Sequence, residues 1–212
     1  MTVEISSIVL LNVERGEPEA AELWDAITES QLSDWEAEWV PETFKAVQKL
    51  HRRGVERRLW PQSRHWNWRD KVAELQGLLG AKGFSIMCGG LTQGMMTLDM
   101  GSKRCRLEPQ RGQHLVYVDY VENAPWNRKE LMNSAPRYRG VGSIFIRTAI
   151  EVSGIEGFKG RIGLHALPQS ESFYRNTCGM TELGKDSNYQ NLSYFEMTPE
   201  QAIQFVQKGG SL

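Results

Sequence analysis

The run Arg137-Tyr138-Arg139-Gly140-Val141-Gly142-Ser143 constrains the chain more than any other feature. It lies between an apolar stretch that reads as a strand and a periodic apolar stretch, about Val141 to Val152, that reads as a helix. A strand, a glycine-containing turn and a helix N-terminus direct several backbone N–H groups at one point, with the positive end of the helix dipole behind them. That arrangement is an anion site, and a phosphate-bearing ligand is the expectation. A P-loop would close the turn with Lys-Ser or Lys-Thr, and the dinucleotide fingerprint would need a third glycine where Phe145 stands. Neither is present.

Downstream, Gly160-Arg161-Ile162-Gly163-Leu164-His165 reads as a strand. Ser170 to Met180 reads as a short helix stopped by Gly179 and carries Phe173-Tyr174, three residues, then Cys178-Gly179-Met180. Taken in this order and on these elements, the two motifs resemble those of the GCN5-related N-acetyltransferases, the GNAT superfamily. In that family an R/Q-x-x-G-x-G/A turn holds the pyrophosphate of acetyl-coenzyme A, and an F-Y-x-x-x-G-F/M helix carries a tyrosine facing the sulfur. Here the second motif is longer by one residue.

The 212 residues, with 40% hydrophobic and 24% charged, suit one globular domain with a substantial core. A net charge of −1 gives no overall basic field to gather nucleic acid or an anionic membrane. Cys88, Cys105 and Cys178 are odd in number and lack metal or dithiol spacing, which predicts reduced core thiols and no metal. The apolar run Ile5 to Val13 follows Glu4 without a basic segment, so neither a signal peptide nor a membrane span is expected, and the cytoplasm is the expected compartment.

Val3 to Val13 reads as a first strand. Leu23, Trp24, Ile27 and Leu32 then keep helical spacing, a second helix is predicted from Pro41 towards Gly54, and a third from Asn67 to Leu79 with Gly80 as its stop. Short strands follow at Phe84 to Cys88, Leu91 to Met100 and Leu115 to Glu122. After the phosphate turn come its helix, the Arg161 strand, the Tyr174 helix, two strands around Thr181 and at Leu192 to Met197, and a helix from Pro199. This order is similar to that of the family over essentially the whole chain. The resemblance implies an α/β (α+β) fold with a mixed, mostly antiparallel central sheet flanked by helices and splayed between its fourth and fifth strands. It implies one N-acetyltransferase domain over residues 1–212, with residues 1–80 a mostly helical acceptor side and residues 83–198 the cofactor-binding core.

What the resemblance implies for chemistry follows residue by residue. Arg137, Arg139, Gly140, Val141, Gly142 and Ser143 would hold the pyrophosphate, and the backbone of Val121 and Asn123 would hold the pantetheine arm. Tyr174 would be the general acid for the departing thiolate. A phenol is a slightly weaker acid than a thiol, so full proton transfer is uphill by roughly 2 kcal/mol without help from the site. Glu122 is the choice for general base, with Asp119 and His165 as alternatives. Asp119 and Glu122 lie three apart on a strand and so face opposite sides. Trp66, Trp68, Trp126, Asn127 and Tyr189 are expected on the acceptor side, the first two as an aromatic wall and the others on an insertion, Trp126 to Pro136, and a turn, Asp186 to Gln190. The basic run His51-Arg52-Arg53 with Arg57-Arg58 reads as a solvated helix end or as a site for an acidic or RNA partner.

The activity implied is transfer of an acetyl or acyl group from acetyl-CoA to a small-molecule or peptide amine by direct attack, in a monomer or homodimer. A non-catalytic acetyl-CoA-binding sensor or interaction protein is the first alternative. A tRNA-directed acetyltransferase toxin is the second, and the slight acidic balance weighs against it.

Overall fold

The chain opens with a hairpin. In a computed structural model describing residues 2–132 and 134–209, β1 (Ile5–Asn12) and β2 (Glu17–Trp24) pair antiparallel from Ile5↔Trp24 to Asn12↔Glu17. The helical spacing of Leu23 and Trp24 is therefore misleading. Glu17–Trp24 is a strand because it is paired along both edges, with β1 and, over Ala21–Trp24, with β3 (Ala81–Cys88). Backbone ladders on two sides outweigh the weak intrinsic preference of an eight-residue segment.

Helices begin at Thr28, which forms a capping box with Gln31 at the head of α1 (Glu29–Asp34). A π-helical turn, Trp35–Trp39, joins α1 to α2 (Val40–Arg52). Pro41 offers no N–H to an ordinary helical bond, and the N–H of Val40 bonds instead to the carbonyl of Trp35, five residues back. The third helix is shorter than its spacing predicts: α3 (Trp68–Leu75) ends before Gly77, whose φ of +88° stops it. Leu78 and Leu79 are left exposed and are not part of its apolar face.

The remaining elements are β4 (Leu91–Asp99), β5 (Val116–Asn123), α4 (Lys129–Met132), β6 (Tyr138–Arg139), α5 (Val141–Ile155), β7 (Ile162–Ala166), β8 (Thr181–Asp186), β9 (Leu192–Met197) and α6 (Pro199–Lys208). Among the described residues, nine strands hydrogen-bond in the order β6-β1-β2-β3-β4-β5-β7-β9-β8. The sheet is mixed and mostly antiparallel: β7 with β9 and β8 with β9 are antiparallel, and β5 with β7 is parallel.

The chain divides into two compact units. One comprises Met1–Leu78, Lys82–Met96 and Val121–Gly142, and its core includes Leu10, Trp39, Trp68, Ile86, Met95 and Tyr138. The other comprises Leu79–Ala81, Thr97–Tyr120 and Ser143–Leu212. There Phe145, Ile146 and Ala149 of α5 are buried, together with Val116 and Val118 of β5, Ile162 and Leu164 of β7, and Phe195 and Met197 of β9. Those named alternate along each strand and share one face; Tyr117, Gly163, Tyr194 and Glu196 between them are buried too, so these strands are covered on both faces.

Candidate functional site

The turn from Arg137 to Ser143 is built on β6. Tyr138 pairs with Asn12 and Arg139 with Leu11, and the N–H of Val13 donates to the carbonyl of Arg137 at 3.0 Å. Tyr138 is buried, and its hydroxyl donates to Glu19 at 3.0 Å. Strand alternation then leaves Arg137 and Arg139 exposed. Arg137 lies over the Trp126 ring, 5.1 Å from its centroid, and Arg139 forms no ion pair among the described residues. Gly140 has φ +104°, a left-handed conformation, and carries the chain straight into α5 at Val141. A Cβ there would meet only Leu10 Cδ2 at 3.6 Å, so backbone conformation, not space, calls for glycine. The N–H groups of Val141, Gly142 and Ser143 stand in the first turn of α5, where a helix has no internal acceptors for them.

A second group fixes this turn from behind. Gln93 is fully buried on β4; its Oε1 accepts from Trp126 Nε1 at 2.8 Å and Asn127 Nδ2 at 3.0 Å, while its Nε2 donates to the carbonyls of Cys88 and Leu91. Asn127 Oδ1 accepts from the N–H of Tyr138 at 2.9 Å, and the carbonyl of Trp126 accepts from the N–H of Arg137 at 3.0 Å. Trp126 and Asn127, expected on the acceptor side, thus brace the turn from Arg137 to Ser143. Within the insertion from Trp126 to Pro136, Asn133 lies outside the described residues. No motif marks Gln93; its signal in the sequence is a polar side chain third in a nine-residue strand.

Glu122 lies in the same unit, on β5. Its Oε2 accepts from Trp68 Nε1 at 2.7 Å and its Oε1 from Arg128 at 3.1 Å, and Arg128 also donates to Ser63 at 3.0 Å. The carboxylate and the guanidinium are about nine-tenths buried, and Trp68 has no exposure at all. Trp68 is a core residue that orients Glu122, so it offers no open aromatic wall. Trp66 is half-buried, with Lys71 Nζ 4.8 Å from the centre of its ring. Val121 and Asn123, the expected backbone contacts, are half-buried at the end of β5.

In the second unit, the parallel register of β5 with β7 runs from Val116↔Ile162 to Val118↔Leu164 and ends there, although β7 continues to Ala166 and β5 to Asn123. The resemblance implied a splay between the fourth and fifth strands; in chain order the strands that part here are the fifth and the seventh. Tyr174 lies in a π-helical turn, Phe173–Thr177, closed by the N–H of Cys178 on the carbonyl of Phe173 at 3.0 Å. A π-turn holds one residue more than an α-turn, which accommodates the additional residue in the Phe-Tyr motif. Gln201 ties the end of this turn to α6, donating to the carbonyl of Gly179 at 2.8 Å. Tyr174 is buried against Phe173 and Phe195, and burial pushes its phenol well above the ordinary range.

The same unit holds a connected polar cluster. His165 Nε2 lies 3.1 Å from Asp186 Oδ2, and its Nδ1 lies 2.6 Å from the Tyr117 hydroxyl. Because a carboxylate can only accept, Nε2 carries the proton, and Nδ1 of the neutral ring accepts from Tyr117. Burial holds the imidazole below its usual range, while hydrogen bonding from Arg106 holds Asp186 down at about 2. Tyr189 stacks on His165 with centroids 3.9 Å apart and planes 7° from parallel. Behind them Tyr194 donates to the fully buried Glu196 at 3.0 Å, and a Cβ on Gly163 would stand 2.8 Å from the Tyr194 hydroxyl, so only glycine fits there. All three cysteines are buried and free, and burial raises the Cys178 thiol to about 12 and Cys105 to about 11. Among the described residues no group of His, Cys, Asp and Glu is arranged to hold a metal, and no helix is long and apolar enough to cross a membrane.

No family model and no curated protein matches the sequence. Among solved structures, the chain is similar to the GNAT domain of S. lividans PAT, at 14% identity over 91% of this chain and 96% of that one, with a TM-score of 0.53. It is also similar to an uncharacterised protein of Bacillus halodurans, at 7% identity over 94% of each chain, with a TM-score of 0.52. At these identities the likeness is one of fold: the chain has the fold of the GCN5-related N-acetyltransferases.

Proposed function

We propose that the chain is an acyl-CoA-dependent N-acyltransferase that moves an acetyl group from acetyl-CoA to a small-molecule or peptide amine. The observation that carries this reading is the turn itself, with Gly140 in the left-handed region at the head of α5 and Arg137 and Arg139 both exposed. A diphosphate suits such a turn, since unpaired N–H groups and two cations meet its charge. In this reading the turn from Arg137 to Ser143 takes the pyrophosphate, and the backbone of Val121 and Asn123 takes the pantetheine arm.

The neutral amine nitrogen attacks the thioester carbonyl directly; a C–N bond forms, the C–S bond breaks, the nitrogen gives up one proton and the departing thiolate takes one up. Tyr174 is assigned to hydrogen-bond that thiolate. Its raised pKa makes outright proton transfer costlier than for a free phenol, so its contribution is that of a positioned donor. The competing reading, an acetyl-CoA-binding protein without turnover, draws its support from Glu122, since both oxygens of that candidate base are already engaged. Incubation with acetyl-CoA and a panel of amines, followed by free-thiol detection, separates the two. Acceptor-dependent thiol release supports the transferase, and acetyl-CoA binding with no release for any amine supports the other.

A further inference from the structure

The end of α2 and the segment after it enclose a cavity of about 300 Å³ lined by Val47, Gln48, His51, Arg52 and Trp60. Gly54, at φ +69°, follows the end of the helix, and the chain returns to place Trp60 beside its last turns. Trp60 is buried and fixed: its Nε1 donates to the carbonyl of Val55 at 2.9 Å, and the His51 ring stands 6.0 Å away with the two planes at 86°. The guanidinium carbons of Arg57 and Arg64 lie 5.5 and 5.9 Å from the centre of the Trp60 ring. An entering group therefore meets an apolar floor and a cationic rim.

The cavity closes one end of an apolar stripe. Val40, Phe44, Val47 and His51 follow one another at helical spacing on one face of α2, over about 16 Å. Val40 is 43% exposed and Phe44 62%, so the stripe faces solvent before it reaches the cavity. Charge along the helix is divided. Glu36, Glu38 and Glu42 stand at its N-terminal end, and Lys49, Arg52, Arg53, Arg57 and Arg58 at or beyond its C-terminal end, in a chain whose net charge is −1. Arg58 is paired with Glu56, whereas Arg52, Arg53 and Arg57 form no ion pair among the described residues. The helix dipole accounts for cations at a C-terminus. It does not account for exposed valine and phenylalanine on the face that leads to them.

We infer that this face of α2 docks a short peptide segment of another protein, with apolar side chains laid along Val40, Phe44 and Val47 and a carboxylate in the cavity among His51, Arg52 and Arg57. The charge pattern selects the occupant. An arginine fork donates two hydrogen bonds to one carboxylate, and the guanidiniums of Arg52 and Arg57 have no acid of this chain to satisfy them. A nucleic acid needs cations along its whole track, and the glutamates at the N-terminal end of α2 would repel it. An acidic residue followed by apolar ones matches both ends, and about five residues of extended chain, at about 3.3 Å each, span the stripe. None of these residues belongs to the turn from Arg137 to Ser143, so docking here is independent of acetyl-CoA binding.

The test is calorimetric titration of the acetylated, amidated peptide Asp-Asp-Leu-Phe-Leu into the full chain, with the Trp60 indole N–H followed by NMR. Asn-Asn-Leu-Phe-Leu lacks the charge, Asp-Asp-Ser-Ser-Ser lacks the apolar part, and an oligouridylate tests for nucleic acid. The variants are Arg52→Gln/Arg57→Gln and Phe44→Ser, all at exposed positions, and thermal unfolding checks that each is folded. Asp-Asp-Leu-Phe-Leu should bind and shift the Trp60 signal, and both control peptides should bind on the order of ten-fold more weakly or worse. The arginine variant should weaken binding by a similar factor at low salt, a difference that shrinks as salt rises, whereas Phe44→Ser should weaken it at every salt concentration. Absence of binding at millimolar peptide, or binding that either variant leaves unchanged, overturns the inference. Tighter binding of the oligouridylate, abolished in the arginine variant, overturns it as well and makes the face a nucleic-acid site.

Discussion

Trp68 Nε1 donates to Glu122 Oε2 at 2.7 Å from a ring with no solvent exposure, and Arg128 closes the other oxygen of the same carboxylate. Burial of a carboxylate and a guanidinium is tolerated only when each satisfies the other and the remaining bonds are made. Here they are, through Trp68 and Ser63. Arg128→Met would leave a nearly buried carboxylate with only the indole as partner. We predict a loss of stability of about 3 kcal/mol in urea denaturation, with Glu122→Gln/Arg128→Met recovering part of it. Equal stability of Arg128→Met and the parent chain would show that the pair carries no structural load.

Asn127 supplies the acceptor for the Tyr138 N–H and donates to Gln93. Asn127→Ala should therefore loosen the turn from Arg137 to Ser143. We predict a fall in acetyl-CoA affinity of roughly ten-fold, about 1.4 kcal/mol, with acceptor preference unchanged. A shift in acceptor preference at unaltered acetyl-CoA affinity would return Asn127 to the acceptor side.

Tyr174→Phe removes only the hydroxyl from a ring packed on Phe173 and Phe195. Turnover should drop on the order of 10–100-fold, with little change in acetyl-CoA affinity. Equal turnover would make Tyr174 a packing residue.

Asp186 and His165 give the fold a defined acid sensitivity. The native pKa of Asp186 is depressed from 3.8 to about 2, so the stability it adds is complete above 3.8 and is lost as pH falls towards 2. His165 is depressed below 6.5, so under pH 6.5 the unfolded chain gains a proton that the native imidazole resists, and stability falls as pH drops. Urea midpoints measured from pH 7 to pH 2.5 should show both limbs. Asp186→Asn should flatten the lower limb; a profile identical to that of the parent chain would contradict the assignment.

Elements whose pattern is local were legible in the sequence. α5, β4, β5, β9 and the C-terminal helix start at or near the positions expected, because one periodicity and one turn signal define each. β2 was not legible, since its strand state comes from partners on both edges that local spacing does not reveal. The turn from Arg137 to Ser143 could be placed between a strand and a helix because its glycines and arginines are contiguous. The brace through Gln93, the engagement of Glu122 by Trp68 and Arg128, and the cluster of Tyr117, His165, Asp186 and Tyr189 join residues distant in the chain. No motif marks such groups, and only the folded sheet assembles them.

The central claim is that the turn from Arg137 to Ser143 binds the diphosphate of acetyl-CoA, and calorimetric titration of acetyl-CoA tests it most directly. Arg139→Glu is the sharper variant, because Arg139 is exposed and its replacement leaves the fold unburdened; Gly140→Ala adds strain at a φ of +104°. The account predicts that Arg139→Glu weakens acetyl-CoA binding on the order of ten-fold or more at low salt, an effect that shrinks as salt is raised. It predicts that Gly140→Ala weakens binding at every salt concentration. Unchanged affinity in both variants, with both shown to be folded, would contradict it.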